Sequence, residues 1–295
     1  MLISKLVLIL SLTLLASCAK DESVITVGSK NFTENILLAE LVAQHIEART
    51  DLTVVRRLNL GGSFLCHEAM RAGEIDIYPE YTGTALTAIL KLPVDQDADS
   101  VLGTVSQAYR EKFQVEWMPP FGFNNTFSIV LRGEEAVQRD LSTITGLAAV
   151  SPGLTIGFGF EFMERQDGYQ GMVSAYGLTF AREPKTMDLG LVYRALRDGQ
   201  IDVAVGNSTD GLIAALKLRI LQDDKKFFPP YDAAAIVRTD TLTKNPELRH
   251  VLSQLGGLLT EEEMQILNHQ VDGEHQPVAK VVEELRTKKG LRPTP

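Results

Sequence analysis

The feature that most constrains this fold is an internal echo. Near the start stands Ile25-Thr26-Val27-Gly28-Ser29-Lys30-Asn31-Phe32-Thr33-Glu34, and later Leu154-Thr155-Ile156-Gly157-Phe158-Gly159-Phe160-Glu161-Phe162-Met163-Glu164. Each is a short β-branched run that ends at a glycine and leads through a loop towards a helix. A second pair follows in the same order: Arg71-Ala72-Gly73-Glu74-Ile75-Asp76-Ile77 and Arg197-Asp198-Gly199-Gln200-Ile201-Asp202-Val203. There a helix stops at glycine, the residue favoured just past a helix end, and a short strand begins. Thr26 lies 45 positions before Arg71, and Thr155 lies 42 before Arg197. Two motifs in one order at nearly one spacing predict two lobes of like architecture.

Between these markers the pattern alternates. Ile36 to Arg49 carries Leu37, Leu38, Leu41, Val42 and Ile46 at helical spacing. Thr53 to Leu58 reads as a strand, Val101 to Phe113 as a helix, and Val115 to Met118 as a strand. Helices also suit residues 188–198, 246–255, 261–271 and 278–288. Such alternation predicts an α/β fold with mostly parallel sheets, which take ligands at the carboxyl ends of their strands. Two sheets facing each other leave a cleft suited to capture by hinge closure.

The first segment stands outside this scheme. Lys5 precedes an apolar stretch, Leu6 to Leu15, that is too short to span a bilayer as a helix but matches a signal-peptide core. It runs into Leu15-Ala16-Ser17-Cys18, which resembles a bacterial lipobox. Residues 1–17 are therefore expected to be a lipoprotein signal peptide, with Cys18 lipidated as the first mature residue. Without Lys5 the chain keeps 28 basic against 38 acidic residues. A surface of that sign argues against nucleic acid, whose phosphates need a basic face, and favours a cationic or zwitterionic ligand. With Cys18 taken, Cys66 is the one thiol left; it can form no internal disulfide, and beside His67 it reads as a core residue.

The candidate binding residues lie where strands end. After the strand Ile75 to Tyr78 comes Pro79-Glu80-Tyr81-Thr82-Gly83-Thr84, and after Ile201 to Val205 comes Gly206-Asn207-Ser208-Thr209-Asp210-Gly211. Two aromatic, proline-stiffened stretches read as crossings between lobes: Pro119 to Phe127, and Phe227-Phe228-Pro229-Pro230-Tyr231-Asp232.

These stretches, with GSKNFTE, RLNLGG, GEIDIYPEYTGTAL, NNTF, MDLG, STDG and DDKKFFPPYDAA, resemble the osmoprotectant-binding lipoproteins of ABC importers. Those are receptors for glycine betaine, choline and carnitine with the type II periplasmic-binding fold. The likeness runs in order through essentially the whole mature chain. It implies a two-lobed α/β protein with the ligand cleft between lobes, residues 23–122 plus 232–291 forming one lobe and 123–231 the other. It implies an extracytoplasmic, membrane-anchored receptor, in the periplasm or on the outer face of the cytoplasmic membrane. Such a receptor is expected to be monomeric and to work with permease and ATPase subunits.

In that family an aromatic cage holds the quaternary ammonium, because a methylated cation donates no hydrogen bond and π faces must replace water. By motif, Tyr81 and Tyr231 match cage tyrosines, and Phe127 stands where many relatives carry tyrosine. Asn207 stands where relatives commonly have an aromatic; either it widens the pocket for a bulkier betaine such as ergothioneine, or Phe158 or Phe160 fills the gap. For the ligand's carboxylate the resemblance points to Thr84 and Asn35, both neutral donors.

An enzyme is not expected. His45, His67, His250, His269 and His275 show no metal-ligand spacing, and neither a nucleophile elbow nor a phosphate-cradling glycine loop is present. No metal and no cofactor are expected. A binding module that reports to a sensor is the other reading the sequence leaves open.

Overall fold

The computed structural model describes residues 23–291; the leader and Cys18 lie outside the described residues. Ten strands build two five-stranded sheets. The first has the order β2 (Thr53–Gly61), β1 (Val24–Lys30), β3 (Ile77–Tyr81), β10 (Ala233–Arg238), β4 (Val115–Trp117). The second has the order β7 (Lys185–Met187), β6 (Ile156–Gly159), β8 (Val203–Asn207), β5 (Phe127–Arg132), β9 (Leu218–Leu221). The fold is α/β with two sheets of matching order, as the echo implied.

The sheets are mixed rather than mostly parallel. In the first, β1 runs parallel to β2 and β3, while β10 is antiparallel to both β3 and β4. In the second, β6 runs parallel to β7 and β8, while β5 is antiparallel to β8 and β9. The reversed strand in each sheet is the first one the chain lays down after crossing from the other sheet. Strand–helix alternation could not reveal this, because it describes only the βαβ part of each sheet.

The echoed residues do the same work twice. A Cβ on Gly28 would stand 2.7 Å from Ile75 Cδ1, and one on Gly157 would stand 2.8 Å from Ile201 Cδ1. Asp76 accepts from the Thr26 backbone N–H at 2.7 Å. Asp202 accepts from the Thr155 N–H at 2.9 Å and from its hydroxyl at 2.8 Å. A third correspondence joins the reversed strands: Arg238 Nη1 donates to the Met70 carbonyl at 2.8 Å, and Arg132 Nη1 to the Leu196 carbonyl at 2.7 Å. Each arginine thereby ties down the end of the helix that leads into the neighbouring strand.

The helix α1 (Thr33–Arg49) is buried nearly all round, including Leu37, Leu38, Leu41, Val42 and Ile46. One side meets the first sheet and the other the helices Glu261–Asp272 and Val278–Lys288. Helix α2 (Ser63–Arg71) buries Cys66, whose thiol is pushed up to about 12 by burial. His67 beside it packs edge-on to Phe113 at 4.6 Å, so the pair is core, as the sequence suggested.

The two crossings run side by side. Asn124 and Asp232 form a β-bridge, the Phe121 N–H donates to Ala233, and the Asn125 N–H donates to Tyr231. Gly122 enters the first crossing at φ +114°, and a Cβ there would lie 2.6 Å from the Leu259 carbonyl oxygen. Gly122→Ala therefore combines backbone strain with a rigid contact, and should lower unfolding free energy by ~1–3 kcal/mol in chemical denaturation.

Candidate functional site

A cavity of about 360 Å³ lies where six parallel strands end. From the first sheet come Lys30 to Phe32 after β1, Gly61 to Leu65 after β2, and Tyr81 with Thr84 after β3. From the second come Gly159 to Phe162, Glu164 and Arg165 after β6, Met187 to Leu189 after β7, and Asn207 at the end of β8. Asn125, Phe127 and Tyr231 complete it from the crossings and β5. The placement follows the rule that open α/β sheets hold ligands at their carboxyl edge.

Two buried cations form its floor. The Lys30 ammonium pairs with Glu80, and Glu80 also accepts from the Tyr78 hydroxyl at 3.0 Å and the Tyr81 N–H at 2.7 Å. The Arg165 guanidinium makes two hydrogen bonds to Asp167, at 2.9 and 2.6 Å, and a third to the Thr84 hydroxyl at 3.1 Å. Tyr231 donates its hydroxyl to the same Asp167. Each cation is thus neutralised from behind and still has N–H donors in hand, since an ammonium carries three and a guanidinium five.

The walls are aromatic. Phe127 meets Phe162 at 4.8 Å and Tyr231 at 5.6 Å, both edge to face, and Phe32 lies 6.0 Å from Tyr81. Arg165 stands 5.0 Å over the Phe127 ring, and Lys30 stands 4.9 Å over that of Tyr81. At the rim the charge changes sign: Glu164 and Asp188 are exposed carboxylates. Glu161 reaches from the second sheet to accept from the Phe64 N–H of α2 at 3.3 Å, bridging the cleft.

Beneath the walls lies a buried carboxylate, Glu34. Its Oε1 accepts from the Tyr81 hydroxyl at 2.9 Å and Asn125 Nδ2 at 2.7 Å; its Oε2 accepts from the Thr209 hydroxyl at 2.5 Å and Asn268 Nδ2 at 3.2 Å. Burial raises its pKa from 4.5 to about 7, against the lowering by the Thr209 and Tyr81 donors. Burial and then the Glu34 charge raise the Tyr81 phenol well above its ordinary range, so it remains a donor.

The structure brings Tyr81, Thr84, Phe127, Asn207 and Tyr231 around one cavity. Tyr81 and Asn207 end strands rather than sitting in loops, and Thr84 lies in a helical turn, Thr82–Thr84. Asn207 stands directly opposite Phe127 in the β5–β8 register. Of the two aromatics expected to fill a gap there, Phe160 lines the cavity and is 63% exposed, whereas Phe158 is buried in the core.

Asn35 is set apart. Its Oδ1 accepts from the Lys30 N–H at 2.7 Å and its Nδ2 donates to the Pro79 carbonyl at 2.8 Å, so its amide is spent on holding two strand ends. Lys30, Phe32, Glu34 and Phe162 went unselected in the sequence, although all lie inside the first echoed motif or its partner. Applying the strand-end rule to that motif as well would have found them. Arg165 lies just beyond the second motif and carried no signal.

Among the described residues no group of three or more His, Cys, Asp or Glu is placed to hold a metal ion, and no helix is long and apolar enough to cross a membrane. Residues 23–287 match the family described as the substrate binding domain of ABC-type glycine betaine transport system. The chain is 37% identical over 289 residues to the carnitine transport binding protein OpuCC of Listeria monocytogenes, covering 95% of this chain and 94% of the relative. It is 34% identical over 268 residues to the ergothioneine transport permease/ergothioneine binding protein EgtU of Helicobacter pylori, covering 90% of this chain and 48% of that longer protein. A crystal structure of a glycine betaine/carnitine/choline ABC transporter protein superposes with a TM-score of 0.74 at 34% identity, covering 90% of this chain and 99% of that one. The strand-end cavity and these matches agree, and the chain belongs to the family of substrate-binding domains of ABC-type glycine betaine transport systems.

Proposed function

We propose that this protein is the extracytoplasmic receptor of an ABC importer and captures a zwitterion that joins a quaternary ammonium to a carboxylate. One observation carries the reading. A single cavity is lined both by the rings of Tyr81, Phe127 and Tyr231 and by the donors Lys30, Thr84 and Arg165. Methylated nitrogen is held by ring faces and a carboxylate by cationic or hydroxyl donors. Glycine betaine and carnitine present both ends. Choline lacks the anionic one and leaves the spare N–H donors of the floor without an acceptor, so the betaines are preferred. The names of the relatives, carnitine and glycine-betaine binding proteins, support the same class.

The lobes of this reading are residues 23–122 plus 232–291 and residues 123–231, which agrees with how the strands divide between the sheets. Closure turns about Gly122-Phe123 and Pro230-Tyr231, where the crossings run together. The receptor delivers its ligand to permease and ATPase subunits, acts as a monomer, catalyses no reaction, and is held to the membrane through lipid on Cys18. A second reading, a bulkier betaine such as ergothioneine, has one feature in its favour. Asn207, opposite Phe127, leaves that corner of the wall without a ring.

Isothermal titration tests the site. Tyr81→Ala and Tyr231→Ala each remove a wall worth ~0.5–2 kcal/mol and should weaken glycine betaine or carnitine by about twofold to thirtyfold. Thr84→Val removes one hydroxyl donor, worth about 1 kcal/mol, and should weaken the betaines several-fold while leaving choline unchanged. Equal binding of the betaines by both tyrosine variants and wild type would place the site elsewhere.

Asn207→Tyr separates the two readings. If the ligand is a simple betaine, the added ring should tighten it by up to ~2 kcal/mol, about thirtyfold. If the ligand is bulkier, the ring should exclude it and weaken binding; equal affinities for both ligands in both proteins would mean Asn207 touches neither.

The anchor is tested in cells. The wild type should incorporate labelled fatty acid and fractionate with membranes, and Cys18→Ala should do neither. Export of a lipid-free wild type would remove the anchor from this account.

A further inference from the structure

Among the described residues, Glu34 is a buried carboxylate whose donors come from both sheets. Tyr81 ends β3 and Asn268 lies on the helix Glu261–Asp272, so both belong with the first sheet. Thr209 sits in the turn after β8 of the second sheet, and Asn125 lies in the crossing. The Thr209 carbonyl also accepts from Asn268, so this turn is docked onto the first sheet's helices through Glu34. Thr209 is the donor that parting the sheets would take from Oε2, where water would replace it. None of these contacts is used to hold a ligand, yet one of them fixes the cage residue Tyr81.

We propose that Glu34 takes up a proton when the two sheets close on ligand, so that capture tightens as pH falls. This rests on the receptor reading above. The sign follows from burial: enclosed as here, the carboxyl keeps its proton up to about 7, against 4.5 for an exposed glutamate. The closed form therefore binds the proton more tightly, and between those values closure draws one from solvent.

The other charges facing this corner keep their hydrogen-bond partners when the sheets close. Lys30 and Glu80, beneath Tyr81, neutralise each other within the first sheet. Asp272 and His269 lie on the helix that carries Asn268, and Asp272 is held by the Thr33 hydroxyl of α1, a partner that closure does not change. Asp210 is raised to about 6, first by burial; its hydrogen-bond partners, the Tyr193 hydroxyl and the Asn207 N–H, belong to the second sheet and travel with it, and the Asp272 charge on the facing helix adds a smaller push in the same direction across the sheets.

The test is titration calorimetry of the full chain with glycine betaine and with carnitine at several pH values from 5 to 8, each in two buffers of different ionisation enthalpy. The wild type should take up as much as one proton per ligand near pH 6. Its affinity should fall by up to tenfold per pH unit between about 5 and 7 and level off above. Glu34→Gln should show no proton uptake and a flat profile. Thr209→Val, which removes a donor to the charged form while keeping the burial, should move the uptake window upward. Binding by the wild type with no buffer-dependent heat, or uptake retained in Glu34→Gln, overturns the proposal. If neither ligand binds at any pH, the receptor reading fails separately, and thermal melts then decide on Glu34. The wild type's melting temperature relative to Glu34→Gln should fall as pH rises from 4.5 to 7, and a constant difference overturns the proposal.

Discussion

Two cations are buried at the floor of the cleft, and the arrangement around them depends on how each is neutralised. A lone ammonium or guanidinium away from water costs several kcal/mol, which a well-placed carboxylate offsets. Lys30 meets Glu80 because β1 and β3 are neighbours, paired at Val27 and Ile77. Arg165 meets Asp167 within its own loop. Each pair is complete without a ligand, so the donors facing the cavity are fixed in advance and little ordering remains for binding. The carboxylates recruit the aromatics as well: Glu80 accepts from the Tyr81 N–H and Asp167 from the Tyr231 hydroxyl. With buried cations below and exposed carboxylates at Glu164 and Asp188 above, the cleft offers a charge gradient that orients a zwitterion.

Much of this was legible in the sequence, because the echo records geometry that each sheet must satisfy for itself. Gly28 and Gly157 are glycines because an isoleucine just ahead of the neighbouring strand packs against each. Asp76 and Asp202 recur because the start of the first strand needs an acceptor. The reversed strands were missed because their likeness, Ile129-Val130-Leu131-Arg132 and Ala235-Ile236-Val237-Arg238, stands before the motif in one half of the chain and after it in the other. A search for repeats in one order cannot align them.

At the site, the legible residues were those whose chemistry admits few uses. A tyrosine or phenylalanine at a strand end beside prolines has little reason to be there except a wall. Asparagine is different, because its amide serves a backbone as well as a ligand. Asn35 does the former, bonding the Lys30 N–H and the Pro79 carbonyl. Glu34, next to it, looks like an ordinary acidic residue in a first helical turn, where the helix dipole favours one. Its burial depends on Thr209 and Asn268, 175 and 234 positions away, and no local pattern carries that.

The position of β10 sets an order of assembly. β10 lies between β3 and β4 and pairs with both, yet it begins at Ala233, after every strand of the second sheet. As the chain emerges from its amino end, β3 and β4 have no partner between them until residues 233–238 arrive. The second sheet, by contrast, is complete by Leu221. Its widest pairing, β5 with β9, closes the 85 residues between Arg132 and Leu218 and can form before β10 exists, whereas the pairing of β4 with β10 must wait for the 115 residues between Trp117 and Ala233. The contiguous half can therefore serve as a folded insert whose two ends emerge side by side, bringing β10 to the gap it fills.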